Sequence, residues 1–147
     1  GREWPYKNIK PRIIIEKYLI DKDDKSLTDY KIFCFSGKPL YCQVIRGRGH
    51  NETIDFYDKD WNCMPFSGLR SLPKSSREYN KPEKYEEMFK IAGILSDNLP
   101  FIRVDLYYVN KQIFFGELTF SPAGGFGRFT PDEWNYRIGN LIKLPER

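Results

Sequence analysis

The sequence lacks a long apolar run, has one histidine, and has no cysteine pair spaced for zinc. Its apolar runs are only a few residues long, which excludes a membrane-spanning helix. The three cysteines, Cys34, Cys42 and Cys63, are odd in number and widely spaced. They therefore predict reduced, mostly buried thiols of a cytoplasmic protein. His50 lies in a polar, glycine-flanked loop, so no Ser/His/Asp or Cys/His catalytic group is indicated.

Aromatic residues, by contrast, are abundant. They make up 16% of the 147 residues, and hydrophobic residues make up 40%, which favours one packed domain over disorder. The net charge of +4 is mildly positive. It suits an anionic ligand such as a nucleotide. A nucleic-acid-binding protein usually has a denser basic patch, so we expect no nucleic-acid partner.

The hydrophobic pattern predicts an α+β domain, with helices packed on an antiparallel sheet. Residues 11–20 (PRIIIEKYLI) open with a β-branched run, which predicts a buried strand. Residues 21–29 form a charged loop, in which residues 22–25 are expected to be solvated. The segments DYKIFCF (29–35) and PLYCQVI (39–45) flank SGK, which predicts a hairpin.

Two helices are predicted from apolar residues that recur at helical spacing. The first covers residues 81–98, with Pro82 in its first turn. Its apolar face contains Tyr85, Met88, Phe89, Ala92 and Leu95. The second covers residues 130–144, where Thr130 and Glu133 have the spacing of a capping box. Its apolar stripe contains Trp134, Ile138, Leu141 and Ile142.

A second hairpin, residues 102–120, carries an unusual set of charges. Side chains alternate along a strand, so Arg103, Asp105 and Tyr107 share one face. Glu117 and Thr119 can join that face only if the connecting loop is odd in length or the second strand has a bulge. The opposite, apolar face is then expected to hold Ile102, Val104, Leu106, Phe114, Leu118 and Phe120.

Asp105 and Glu117 would repel each other across the two strands unless a positive charge lay nearby. Arg103 supplies part of that charge. Mg²⁺ would supply more, because it prefers carboxylate, hydroxyl and phosphate oxygens, and the Thr119 hydroxyl is a further ligand. The hairpin therefore suits a magnesium–phosphate site with Arg103 facing an anion. The alternative is a solvated sheet face with an ordinary ion pair.

Six separate segments, in order along the chain, resemble one enzyme family. Residues 103–127 are similar to the metal-binding end of ATP-grasp enzymes, where an Asp on one strand is followed after a hairpin by Glu-x-Asn. Asp105 and Glu117 match the acids, and Thr119 replaces the Asn. Within that fold the chain resembles the TupA-like branch, which is associated with cell-surface polysaccharide synthesis. The segments are WPYKNIKPRIIIEKYL, DYKIFCFSGKP, DFYDKDWN, FIRVDLYYVN, GELTFSPAGGFGRF and PDEW.

The resemblance implies ATP and Mg²⁺ as cofactors, and the ATP-dependent joining of a carboxylate to an amine. The residues implied for adenine are Glu16, Lys17 and Leu19, and those for ribose and phosphate are Asp29 and Lys31. The metal ligands would be Asp105, Glu117 and Thr119. Arg103 would stabilise the transition state, and SPAGGFG (121–127) would shape the acceptor side.

ATP-grasp enzymes bind ATP between two lobes, and no glycine-rich phosphate loop precedes Glu16 in this sequence. We therefore expect residues 1–147 to form a single C-terminal ATP-grasp domain, with the upstream lobe outside this chain. An unpaired sheet edge could then allow self-association. Two alternatives stay open: a non-catalytic binding module of the same fold, and a single-stranded nucleic-acid binder.

Overall fold

The computed structural model describes residues 4–20 and 26–145. Five strands form one antiparallel sheet in the order β3-β2-β1-β5-β6, and two short strands, β4 and β7, pair separately. This arrangement confirms the predicted α+β class. The strands are β1 (Asp29–Phe35), β2 (Lys38–Arg46), β3 (Thr53–Asp58), β4 (Ser67–Gly68), β5 (Phe101–Val109), β6 (Gln112–Thr119) and β7 (Phe129–Thr130). The helices are α1 (Tyr85–Leu95) and α2 (Glu133–Gly139), with 3₁₀ turns at Trp4–Tyr6 and Pro122–Gly125.

The predicted first hairpin is confirmed. Strands β1 and β2 are joined by Ser36 and Gly37, both with positive φ (49° and 74°). Two residues with positive φ form the turn whose twist matches that of the flanking strands. Strand β1 is the central strand and is buried along its whole length, including its two charged residues, Asp29 and Lys31.

Helix α1 covers one face of the sheet. It buries Tyr85, Met88, Phe89 and Ala92, as the helical spacing predicts, whereas Leu95 is exposed. Below them lie side chains of the three central strands, including Ile32, Cys34, Cys42, Val44, Ile102, Val104 and Leu106. Each large side chain buried in this layer stabilises the fold by roughly 1.5–3 kcal/mol.

The thiols of the chain divide into two environments. Cys34 and Cys42 are buried under α1, and Cys63 is exposed, so the prediction of mostly buried thiols is confirmed. Burial raises the pKa of the Cys34 thiol to about 11, which keeps it protonated at neutral pH.

None of the helices in the described ranges is long and apolar enough to cross a membrane.

An aromatic cluster fills one end of the opposite face, under α2. Phe66 lies at its centre, with ring centroids 4.7 Å from Phe56 and 4.4 Å from Trp134.

The predicted capping box is wrong. Thr130 pairs with Ser67 in the β4–β7 ribbon, and α2 begins only after Asp132, without a side-chain cap.

The amide of Asn135 ties the start of α2 to the ribbon instead of a capping box. Its Oδ1 accepts from the Phe129 N–H at 2.8 Å, and its Nδ2 donates to the Phe129 carbonyl at 3.0 Å. Trp134 and Ile138 are buried as predicted, whereas Ile142 lies beyond the helix and is exposed.

The strand predicted at residues 11–20 is also wrong, since this segment is irregular and Ile13 is 95% exposed. A β-branched run forms a strand only when a partner edge is available. The neighbouring edge of β6 is partly occupied: the Tyr6 hydroxyl donates to the Leu118 carbonyl (3.2 Å) and accepts from the Phe120 N–H (2.9 Å). The predicted solvated loop at 22–25 lies outside the described residues.

Candidate functional site

A bulge in the second hairpin places the two acids opposite each other. The turn has two residues, Asn110 and Lys111, both with positive φ (49° and 65°). Regular pairing from this turn would put Asp105 opposite Gly116. Instead Asp105 faces Glu117 while the next residue, Leu106, faces Phe115, so Gly116 is the extra residue. The prediction that both acids share one face through an odd loop or a bulge is confirmed.

Gly116 is required by the tight geometry of this bulge. A Cβ at this position would lie 3.0 Å from the Asp105 carbonyl oxygen and 3.0 Å from a ring carbon of Tyr107. The bulge also changes which face of the sheet the residues before it occupy. Phe114 pairs with Tyr107 and therefore lies on the charged face, so its assignment to the apolar face is wrong.

Across the sheet, four polar residues lie side by side on one face. Strand register places Gln43 of β2 beside Lys31 of β1, Lys31 beside Asp105 of β5, and Asp105 beside Glu117 of β6. We call these four residues the charged row. Lys31 and the acids Asp105 and Glu117, which lie far apart in the sequence, are thus neighbours.

Asp105 is buried (2% exposed) and held by two cations. The Lys31 ammonium donates to its Oδ2 at 2.5 Å. Arg103 donates through Nε to Oδ1 at 2.6 Å and through Nη2 to Oδ2 at 2.8 Å. Bidentate, charge-assisted bonds of this kind fix both position and orientation. The positive charge that the opposed acids need is therefore supplied by side chains of the protein.

Glu117 is the carboxylate of the row that reaches solvent. The Arg103 Nη2 donates to the Thr119 hydroxyl at 2.9 Å, which in turn donates to Glu117 Oε1 at 2.9 Å. Arg103 and Thr119 are directly paired on β5 and β6, one step along the strands from the charged row. The sequence-predicted catalytic and metal residues are thus brought together in one hydrogen-bonded network.

Asp29 lies next to this network and is almost fully buried (1% exposed). Its oxygens lie 3.2 Å from Lys31 Nζ and 3.5 Å from Arg48 Nη2, yet neither oxygen makes a hydrogen bond of good geometry within the described residues. A buried carboxylate without hydrogen bonds is costly, so hydroxyl donors of a ligand would be favourable here. Burial, and then the charge of Asp29, raises the pKa of the paired Tyr107, whose phenol therefore stays protonated.

Arg46 and Arg48, two arginines at and just after the end of β2, differ in location. Arg48 reaches Asp29 and so belongs to the site. Arg46 is buried on the opposite face, with its guanidinium 3.7 Å from the centre of the Tyr79 ring and 3.4 Å from Asp55. Because side chains alternate along β2, Arg46 lies on the face opposite Gln43. The loop after β2 brings Arg48 back over the face that contains Gln43 and Asp29.

A cleft of about 790 Å³ opens at the turn end of the hairpin. One wall is residues 16–20, so it includes the predicted adenine-binding residues Glu16, Lys17 and Leu19. The Asn110 side chain donates to the Ile20 carbonyl at 3.2 Å and joins this wall to the hairpin. The other wall consists of Tyr107, Val109, Asn110, Gln112, Phe114, Phe115 and Gly116. The cleft therefore ends at the bulge glycine, immediately before Glu117.

The donor set of the network suits Mg²⁺ bound together with a phosphate ligand. Within residues 4–20 and 26–145, no group of three or more His, Cys, Asp or Glu side chains is placed to hold a metal by itself. Mg²⁺ commonly takes one or two carboxylates and completes its shell with phosphate oxygens and water. Glu117, Asp105 and Thr119 carry oxygens of that kind; Glu117 is accessible, whereas the oxygens of Asp105 already accept from Lys31 and Arg103.

Comparison with known proteins gives one match. A family model described as TupA-like ATPgrasp matches residues 1–143 of the chain. A search of curated proteins and a search of solved structures gave no match.

Proposed function

The chain belongs to the TupA-like ATP-grasp family, and on that premise we propose that it holds the nucleotide and the metal of an ATP-dependent carboxylate–amine ligase. The family is one of ATP-dependent, ligase-type enzymes, which implies ATP binding. The observation that supports the proposal best is the continuity of the cleft with the charged row. Gly116 lines the cleft, and the next residue, Glu117, is the exposed acid of the row.

In this proposal adenine lies in the cleft. Glu16, Lys17 and Leu19 provide one wall, and the rings of Tyr107 and Phe114 provide apolar surface on the other. Asp29, paired with Tyr107 across β1 and β5, would accept hydrogen bonds from the ribose hydroxyls in this proposal. Those donors would supply the hydrogen bonds that the buried Asp29 oxygens lack, so Asp29 would favour a nucleoside over a bare phosphate.

The phosphates would lie over the charged row. Lys31 and Arg48 offer positive charge, and Arg103 is fixed by Asp105 and Thr119 before any ligand binds. A preorganised guanidinium can stabilise the charge that develops during phosphoryl transfer. Asp105 and Glu117, with Thr119 assisting, would hold Mg²⁺, which would supply positive charge to offset the charge of the phosphates.

The proposed reaction has two steps. A substrate carboxylate attacks the γ-phosphorus of ATP, which forms an acyl phosphate and releases ADP. A substrate amine then attacks the acyl carbon, which forms an amide and releases phosphate. We further propose that an upstream lobe completes the active site and that the amide belongs to a cell-surface polysaccharide pathway, as the family resemblance implies.

Ligand-observed NMR of ADP with the parent protein tests the nucleotide proposal. We expect weak binding without Mg²⁺ and tighter binding with it, because Glu117 and Asp105 would hold the metal and its positive charge would favour the phosphates. The control titration replaces Mg²⁺ by an equal ionic strength of NaCl. Absence of ADP binding in both conditions would contradict the proposal for this chain.

One observation favours the alternative of a non-catalytic module. Lys31 and Arg103 already balance the charge of Asp105, so the network is stable without a metal. A module of this kind would bind ADP with the same affinity in Mg²⁺ and in NaCl. The nucleic-acid alternative is less favoured, because Asp105 and Glu117 lie on the face that phosphates would have to approach, and they repel phosphates unless a metal is bound.

A further inference from the structure

A groove of about 350 Å³ lies along the β4–β7 ribbon, away from the nucleotide cleft. Its polar lining consists of two guanidinium groups and three hydroxyls, and no acidic side chain of residues 4–20 and 26–145 lines it. The lining residues are Ser67, Gly68, Leu69, Arg70, Ser71, Leu72, Arg128 and Thr130. Guanidinium and hydroxyl donors at one place match the oxygens of a carboxylate or a phosphate.

Both arginines are available to a ligand. Arg128 has one ion pair, to Asp132 at 3.6 Å, and both side chains are 78% exposed. Exposed pairs of this length contribute little to stability, so Arg128 can turn to another anion at small cost. Arg70 is held more firmly, because it donates to Glu52 through Nη1 to Oε1 at 3.0 Å and through Nη2 to Oε2 at 3.3 Å, although its side chain is half exposed. Its guanidinium has further N–H donors that can face the groove.

The backbone around the groove has an uncommon conformation. Leu69 has φ +67°, in the left-handed region that bulky residues rarely adopt. Its N–H donates to the Arg128 carbonyl at 2.9 Å. A Cβ at Gly68 would lie only 2.4 Å from that same carbonyl oxygen, so only glycine allows the two strands to approach so closely. Such conformations are concentrated at ligand sites.

The groove adjoins the charged row on the side opposite the cleft. Gln43, which lies beside Lys31 in the row, donates to the Gly68 carbonyl at 3.4 Å. Two strand spacings, roughly 10 Å, separate Gln43 from Asp105. The glycine-rich segment 121–127 leads from Thr119 to β7, and Gly127 packs tightly against Leu69. A small substrate could therefore span from the groove to the phosphates.

We propose that this groove binds an anionic group, a carboxylate or a phosphate, of the acceptor substrate. The inference rests on the proposed ligase function, and it restricts the acceptor substrate to molecules that carry an acidic group. Arg128 and Arg70 favour a negatively charged group on the substrate. The hydroxyls of Ser67, Ser71 and Thr130 orient the oxygens of that group.

Two-dimensional ¹H–¹⁵N NMR titration of the full chain with inorganic phosphate, and separately with glutarate, tests this proposal. We expect saturable shifts of the Ser67, Leu69 and Arg128 amides with at least one probe. Comparing the two probes then identifies the anion class. Arg128→Gln should weaken binding about tenfold, because a hydrogen bond to a charged group is lost. Lys90→Gln removes the same charge from the exposed surface of α1 and should change nothing.

Three results would overturn the proposal: no saturable shift at the groove with either probe, equal weakening in Arg128→Gln and Lys90→Gln, or shifts confined to the amides of Lys31 and Arg103. ADP titration of the same samples separates the two claims. Arg128→Gln should bind ADP like the parent, because the groove is outside the cleft. Failure of ADP binding with a responsive groove would count against the ligase function alone.

Discussion

Replacing Lys31 by Met is expected to lower the free energy of unfolding by about 3–5 kcal/mol, as measured by urea denaturation at neutral pH. The Lys31 ammonium lies 2.5 Å from Asp105 and 3.2 Å from Asp29, and both carboxylates are buried. Met fills a similar volume, so the main change is the loss of charge. Within the described residues, Asp29 would keep only Arg48 as an ion-pair partner, and the Arg48 side chain is largely exposed.

A matched control separates the buried network from surface charge. Lys59 pairs with Asp60 at 2.7 Å, but the lysine side chain is 69% exposed, so Lys59→Met should leave stability unchanged. Adding Asp29→Asn to Lys31→Met should restore part of the loss, because one buried charge is removed. A decrease below 1 kcal/mol for Lys31→Met would show that the network does not depend on its lysine.

Glu117→Gln is expected to remove the effect of Mg²⁺ on ADP binding, a loss of about tenfold or more in affinity when Mg²⁺ is present. Glu117 is the accessible acid of the charged row, and the amide keeps its shape but not its charge. Because the side chain is exposed, we expect little change in stability. Isothermal titration calorimetry with ADP, with and without Mg²⁺, measures the effect.

Asp105→Asn and Glu87→Gln complete this comparison. Asp105→Asn should also lose the Mg²⁺ effect, but it should destabilise the protein, because Lys31 and Arg103 lose their buried partner. Glu87 lies on the exposed surface of α1, so Glu87→Gln should bind ADP like the parent. If Glu117→Gln kept the full Mg²⁺ effect, the metal assignment of Glu117 would be wrong.

Structural features that depend on neighbouring residues in the sequence could be predicted. Features that depend on contacts with residues far away in the sequence could not. Matching the apolar faces of β5 and β6 was enough to predict that Asp105 and Glu117 share a face, through an odd loop or a bulge. The position of the bulge at Gly116, where a Cβ would lie 3.0 Å from Tyr107, is not revealed by periodicity alone.

The wrong predictions concern segments whose partners lie far away in the sequence. Thr130 has the spacing of a helix cap, but Ser67, more than sixty residues earlier, pairs with it. The run Ile13–Ile15 has a strand-forming composition but no paired strand in the described residues. Similarly, β1 lies beside β5, which brings Lys31 to Asp105 although 74 positions separate them.

The central claim is that the cleft and the charged row form one nucleotide–metal site. Residue-resolved ¹H–¹⁵N NMR mapping with ADP, followed by addition of Mg²⁺, tests it most directly. The account predicts that ADP alone shifts the amides of Tyr18, Leu19 and Phe114, and that Mg²⁺ extends the shifts to Asp105 and Glu117. Shifts that stayed on the α1 face, or a Mg²⁺ response that left Asp105 and Glu117 unchanged, would contradict it.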